Sequence, residues 1–239
     1  MLFFVLIFVV ALLYASVGHG GASGYLALMS VYDIPNEYAK VTALILNILV
    51  SLVSFIYYYR AGFFNFRLFA AFAVFSIPFA FVGGWINLNP IVYKRLLGIL
   101  LVFPILKLLG VFPEKVTEIK PINYPLAAVL GASIGLLSGM LGIGGGIILT
   151  PLLLVLNWSN MKEAAAVSAI FIFVNSLAGL FGVLSKGVNF AADMWLTIAC
   201  AFSGGLIGAY LGTHQLQQFW LKKILAFVLL IAVFKLIFT

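Results

Sequence analysis

Ser138-Gly139-Met140-Leu141-Gly142-Ile143-Gly144-Gly145-Gly146-Ile147-Ile148-Leu149-Thr150-Pro151-Leu152 is the stretch on which the reading of this chain turns. Four of the five residues from Gly142 to Gly146 are glycine. Each glycine disfavours a helix interior by about 1 kcal/mol relative to alanine, so a helix arriving through Leu141 stops here. An apolar helix resumes over Ile147–Leu156, with Pro151 in its second turn. Apolar sequence flanks the break on both sides. Irregular backbone in such surroundings survives inside a membrane only where protein or a wet cavity covers it.

The rest of the chain supports a membrane setting. Of 239 residues, 65% are apolar and 8% charged, against about 25% charged in a soluble domain. Apolar segments run over Leu2–Val17, Gly24–Tyr32, Ala39–Tyr59, Leu68–Asn87, Ile91–Leu109, Ile122–Leu141, Ile147–Leu156, Ala164–Leu184, Ala191–Leu211 and Leu216–Phe238. Several reach the roughly 20 residues that cross a bilayer as a helix. They lack the alternation of a membrane barrel strand. The chain is therefore read as an all-α polytopic membrane protein of the cell (inner) membrane, multi-pass. The net charge of +7 is ascribed to orienting loops rather than to nucleic acid. Cys200 reads as a small buried filler. No basic residue precedes Met1–Val17, so this segment is taken as part of the mature fold.

The sequence repeats itself. Gly18-His19-Gly20-Gly21-Ala22 corresponds to Gly142–Gly146, Val41-Thr42-Ala43 to Val167-Ser168-Ala169, Val82-Gly83-Gly84 to Ser203-Gly204-Gly205, and Lys94-Arg95-Leu96-Leu97 to Lys222-Lys223-Ile224-Leu225. Residues 1–111 form a first transmembrane repeat, 112–121 a linker, and 122–239 a second repeat. Transporters are commonly built this way. Two topologies follow. If each break lies within a crossing helix, the repeats are parallel. If the chain turns back at the break, each half holds a re-entrant pair plus three transmembrane helices, and the halves are inverted repeats. The inverted arrangement puts Arg60, Arg67, Lys107, Lys115, Lys120, Lys162, Lys222 and Lys223 on one face. It puts Lys40, Lys94, Arg95, Lys186 and Lys235 on the other, so eight of the 13 basic residues stand against five. That is a cleaner division than the parallel alternative gives, so inverted repeats with both termini extracytoplasmic are favoured.

The breaks suggest chemistry. A helix starting at a glycine cluster leaves N–H groups unpaired, carries partial positive charge, and admits close approach of a ligand. Such a nest suits an anion. The acids Asp33, Glu37, Glu114, Glu118, Glu163 and Asp193 lie at segment ends, and no Lys or Arg is placed mid-helix, Lys40 being read as a loop residue. A cation carrier would ordinarily hold carboxylates mid-membrane. Backbone and neutral side chains remain for binding: Gly18, His19, Gly20, Gly21, Ser23, Gly142, Gly144, Gly145, Gly146, Thr150, Thr42, Asn47, Ser168 and Asn175, with Ser16, Ser138 and Ser176 nearby. Each has a plainer alternative. Hydroxyls in membrane helices often bond back to their own backbone, asparagines link helices, and pairs such as Gly83-Gly84 and Gly204-Gly205 serve close packing. His214 is placed in a loop.

The stretch from Ser138 to Leu152 closely resembles the signature of the TauE/SafE family of sulfite exporters and related permeases. Gly18-His19-Gly20-Gly21 is similar to a weaker first copy of it. The resemblance spans nearly the whole chain. It implies a duplicated helical permease for sulfite or a related sulfur-containing or organosulfonate anion. His19, Ala22 and Ser23 depart from the glycine pattern, which leaves the substrate open. No enzymatic activity, cofactor or metal is expected. The expected partners are a small anionic solute and the lipid bilayer, with a homodimer allowed and no nucleic acid. The alternatives are an anion channel or structural membrane subunit, and an intramembrane serine hydrolase, since Gly21-Ala22-Ser23-Gly24 resembles the GxSG element of rhomboid proteases.

Overall fold

The computed structural model describes residues 1–16, 18–110, 118–187 and 194–213, with Leu230, Val233 and Phe234. Apart from those last three, the expected segment Leu216–Phe238 lies outside the described residues, as do Val17, Asp193, His214 and residues 111–117. Among the described residues the architecture is helical throughout: α1 (Leu2–Ala15), α2 (Ala22–Val31), α3 (Asn36–Arg60), α4 (Phe66–Trp85), α5 (Pro90–Leu108), α6 (Tyr124–Leu141), α7 (Gly146–Val155), α8 (Met161–Leu184) and α9 (Met194–Thr213). Four of these, α3, α4, α6 and α8, are long and apolar enough to cross a membrane. Asparagine starts three of them. Asn65, Asn123 and Asn160 accept from the amides of Leu68, Leu126 and Glu163, each such cap being worth about 1 kcal/mol.

At both breaks the chain turns back. With 10 residues, α2 and α7 each rise only about 15 Å, half of a hydrocarbon core of about 30 Å. Phe3, at the head of α1, stacks edge-on with Tyr32, just past α2, at 5.0 Å between ring centroids. In the second half the amide of Lys120, ahead of α6, donates to the carbonyl of Asn157, just past α7, at 2.7 Å. Each helix pair therefore enters and leaves at one end of the bundle.

Those ends are opposite. Asn65, capping α4, bonds Glu163 in the first turn of α8. Lys186, just past α8, sits over the ring of Trp85 at the end of α4, 5.3 Å from its centroid. So α4 and α8 run in the same direction, and α3, which α4 follows after a short turn, runs against both. α3 and α8, the long helices that follow the two breaks, are thus antiparallel.

Small residues let these helices touch. Gly131, Gly135 and Gly139 of α6 lie on the backbone of Phe72, Ser76 and Ala80 of α4. Gly84 of α4 lies on Gly179 of α8, and Gly204 and Gly208 of α9 on Phe8 and Leu12 of α1. In a bilayer, association depends on such close backbone approach, so the glycine pairs outside the breaks serve packing. Cys200 is half-buried.

One expectation needs correction. Lys40 is not in a loop between helices. α3 begins at Asn36 behind the N-cap Pro35, which makes Lys40 its fifth residue, and the side chain is 8% exposed. The uncharged run starts only at Val41, whereas proline fixes the helix start a turn earlier.

Candidate functional site

The two breaks meet inside the bundle. Gly21 is the N-cap of α2 with φ 93°, and Gly145 the N-cap of α7 with φ 77°. Gly18, Gly142 and Gly144 are also left-handed, a conformation that residues with a side chain rarely adopt. These turns aim the beginnings of α2 and α7, with their partial positive charge, into the same region. The incoming helices are closed off. Tyr58 donates to Ser16 O at 3.4 Å after α1, and Tyr93 donates to Leu141 O at 3.0 Å at the end of α6.

His19, Thr150 and Ser168 join the halves. Thr150 Oγ1 lies 3.1 Å from His19 Nε2, 2.8 Å from Ser168 Oγ and 3.1 Å from Gly146 O. Thr150 has one proton, and the carbonyl can only accept. The three contacts therefore share that proton with those of Ser168 and His19, whose ring nitrogen donates or accepts according to its tautomer. Each of the three side chains is at most 3% exposed.

Asn47 of α3 lies between the breaks. Its Oδ1 accepts from the amide of Ala22, the first residue of α2, at 3.0 Å. Its Nδ2 donates to Ser176 Oγ of α8 at 3.3 Å. A Cβ on Gly20 would run into this amide, and one on Gly144 would come 2.6 Å from Nδ2. So one of the N–H groups expected to face a solute is taken by a side-chain oxygen. A partially negative oxygen fills the nest at the first residue of α2.

The second half is not the same. Gly145, like Gly21, offers no side-chain cap of its own. Asn175 of α8 donates back to Phe171 O at 2.8 Å, and its Oδ1 is buried without a partner, as is Ser138 Oγ. Native proteins leave few such groups. Gly145 packs on Ile134, Phe171 and Ser138, and Gly146 on Ile172, which also touches Gly20 and Gly144. The breaks are thus adjacent and closely packed. Ser23 donates to the hydroxyl of Tyr14 at 2.7 Å, a partner that the sequence pattern did not indicate. Ser16 bonds back to Leu13 O, and Thr42 is buried on α3.

A cavity of about 500 Å³ opens away from the breaks, lined by Gly62, Asn65, Arg67, Asn160 and Glu163 among others. It lies at the end of the bundle toward which the first break reaches, since Gly18 packs on Ala165, two residues along α8 from Glu163. Among the described residues no cluster of His, Cys, Asp or Glu is arranged to hold a metal ion.

The family model described as sulfite exporter TauE/SafE matches residues 3–236. The chain is 36% identical over 237 residues to the probable membrane transporter protein y4hK of Sinorhizobium fredii, covering 96% of this chain and 95% of that protein. It is 26% identical over 194 residues to the probable membrane transporter protein MJ0441 of Methanocaldococcus jannaschii, covering 76% and 71%. It is 33% identical over 109 residues to the probable membrane transporter protein YjnA of Bacillus subtilis, covering 42% and 41%. No solved structure matches.

Proposed function

The chain belongs to the sulfite exporter TauE/SafE family of membrane transporters, and from that premise we propose that it carries a small anion, sulfite or a related sulfur-containing or organosulfonate anion, through the place where its two glycine breaks meet. One observation carries this reading. The beginnings of α2 and α7 converge, and the first already holds an oxygen, Asn47 Oδ1, on its leading amide. An anion oxygen has the same complementarity and more charge. For it to enter, Asn47 must move aside, so the packed arrangement is an occluded one in which the site is closed.

The two-ended architecture suits a carrier. Hairpins entering from opposite ends give the central site a route to each face. Under an inside-negative potential a monovalent anion leaves downhill by about 2.3 kcal/mol per 100 mV, so export through the cell (inner) membrane requires no coupling ion.

The test is flux of radiolabelled sulfite in proteoliposomes. A carrier gives saturable efflux, accelerated by sulfite on the far side. Flux that rises linearly with concentration would make the protein a channel. Flux no greater than in empty liposomes for sulfite, sulfate, thiosulfate and methanesulfonate alike would overturn the anion reading.

A further inference from the structure

The two breaks are packed alike and charged differently. Gly18 of the first break lies on the backbone of Ala165, the fifth residue of α8. Gly142 of the second break lies on Cγ and the backbone of Lys40, the fifth residue of α3. An alanine satisfies this contact in one half, so packing does not call for a lysine in the other.

Lys40 is 8% exposed. Its Nζ donates to Gly84 O at 3.4 Å, a long contact. Among the described residues it pairs with no carboxylate. Glu37, three residues earlier on α3, is exposed. Burying an ammonium without a carboxylate is strongly unfavourable, and the carbonyl end of α4 offsets only part of it. A second ammonium stands close by. Lys186 Nζ sits over Trp85, the residue after Gly84, and its side chain is exposed. The two cations thus flank consecutive residues of α4, beside the tip of the second break.

We infer that Lys40, with Lys186 at its rim, forms a cationic subsite for the transported anion, at the end of the bundle that the second break reaches. The inference rests on the anion reading above. A neutral solute would leave Lys40 uncompensated, whereas an oxyanion arriving here supplies the missing charge before it moves on to the break. The other end, where Asn65 and Glu163 bond each other, has no counterpart of Lys40 at Ala165.

The test is thermal unfolding of the purified protein in detergent, titrated with sodium sulfite against sodium chloride at equal ionic strength, and repeated with sulfate, thiosulfate and methanesulfonate. An anion of this set is expected to raise the melting temperature of the wild type. Lys40→Gln then needs at least about tenfold more of it for the same shift, while its melting temperature without anion is equal or higher, because an unpaired buried charge has gone. Lys186→Gln, an exposed change that leaves the fold intact, needs roughly threefold more. If Lys40 only caps α4, Lys40→Gln melts lower without anion and its response is unmoved, which overturns the inference and leaves the anion reading standing. If no anion of the set stabilises the wild type, the anion reading itself fails.

Discussion

His19 Nε2 lies 3.1 Å from Thr150 Oγ1, a residue 131 positions further along the chain, so the first break is tied directly to the helix that leaves the second. Thr150→Val keeps the shape and removes the hydroxyl. Ser168 and His19 then lose a buried partner, at a cost of about 1–3 kcal/mol. The melting temperature of the purified protein should fall. In a double-mutant cycle with His19→Gln the two effects should not add, and strict additivity would mean that the contact contributes nothing.

Asn47→Asp places a full negative charge on the leading amide of α2. A carboxylate at a helix start is favourable by about 0.3–1 kcal/mol, more when partly buried. The variant should insert and purify as a stable protein. Its flux should fall to background, because a tethered anion holds the place the solute needs. Normal sulfite flux in Asn47→Asp would remove the nest at α2 from the route.

Glycines outside the breaks should behave differently. A Cβ on Gly135 would collide with the backbone of Ser76, which cannot yield as a side-chain tip can. Gly135→Val should lower the yield of monodisperse protein in size-exclusion chromatography. Its defect lies in folding, whereas that of Asn47→Asp lies in transport.

The turning back of the chain is open to labelling. In a Cys200→Ser background, cysteines at Leu2, Glu37 and Lys186 should react with a membrane-impermeant maleimide from one face. A cysteine at Gly62 should react from the opposite face. Labelling of Leu2 and Glu37 from opposite faces would mean that the first break crosses the membrane.

Much of this was legible in the sequence, because lipid makes helix segments long and apolar and glycine clusters interrupt them. Direction at a break rested only on the eight-to-five division of basic residues. Leu2–Val17 followed by Gly24–Tyr32 has the same composition whether it crosses or returns, and contacts such as Phe3 with Tyr32 and Lys120 with Asn157 show the return directly. The candidates His19, Thr150 and Ser168 do come together, since they sit on or beside the breaks. The place of Asn47 between Gly20 and Gly144 depends on how α3 is rotated against two hairpins, which residue types alone do not set. Lys40 was missed as a site residue because a lysine near the edge of an apolar run reads as a loop. Its one signal was Pro35, which starts the helix a turn before the uncharged run.

The most direct measurement compares sulfite flux through Gly144→Ala and Gly187→Ala in proteoliposomes. Both glycines are left-handed, with φ 72° and 76°, so both variants carry backbone strain of roughly 1–2 kcal/mol. Around Gly187 nothing lies within 4 Å of a new Cβ, whereas at Gly144 it would meet Asn47, Ile172 and Ser176 at 2.6–2.8 Å. Gly187→Ala is expected to keep wild-type flux and Gly144→Ala to lose it, in protein that still purifies as a monodisperse species. Equal, undiminished flux through both would contradict this expectation.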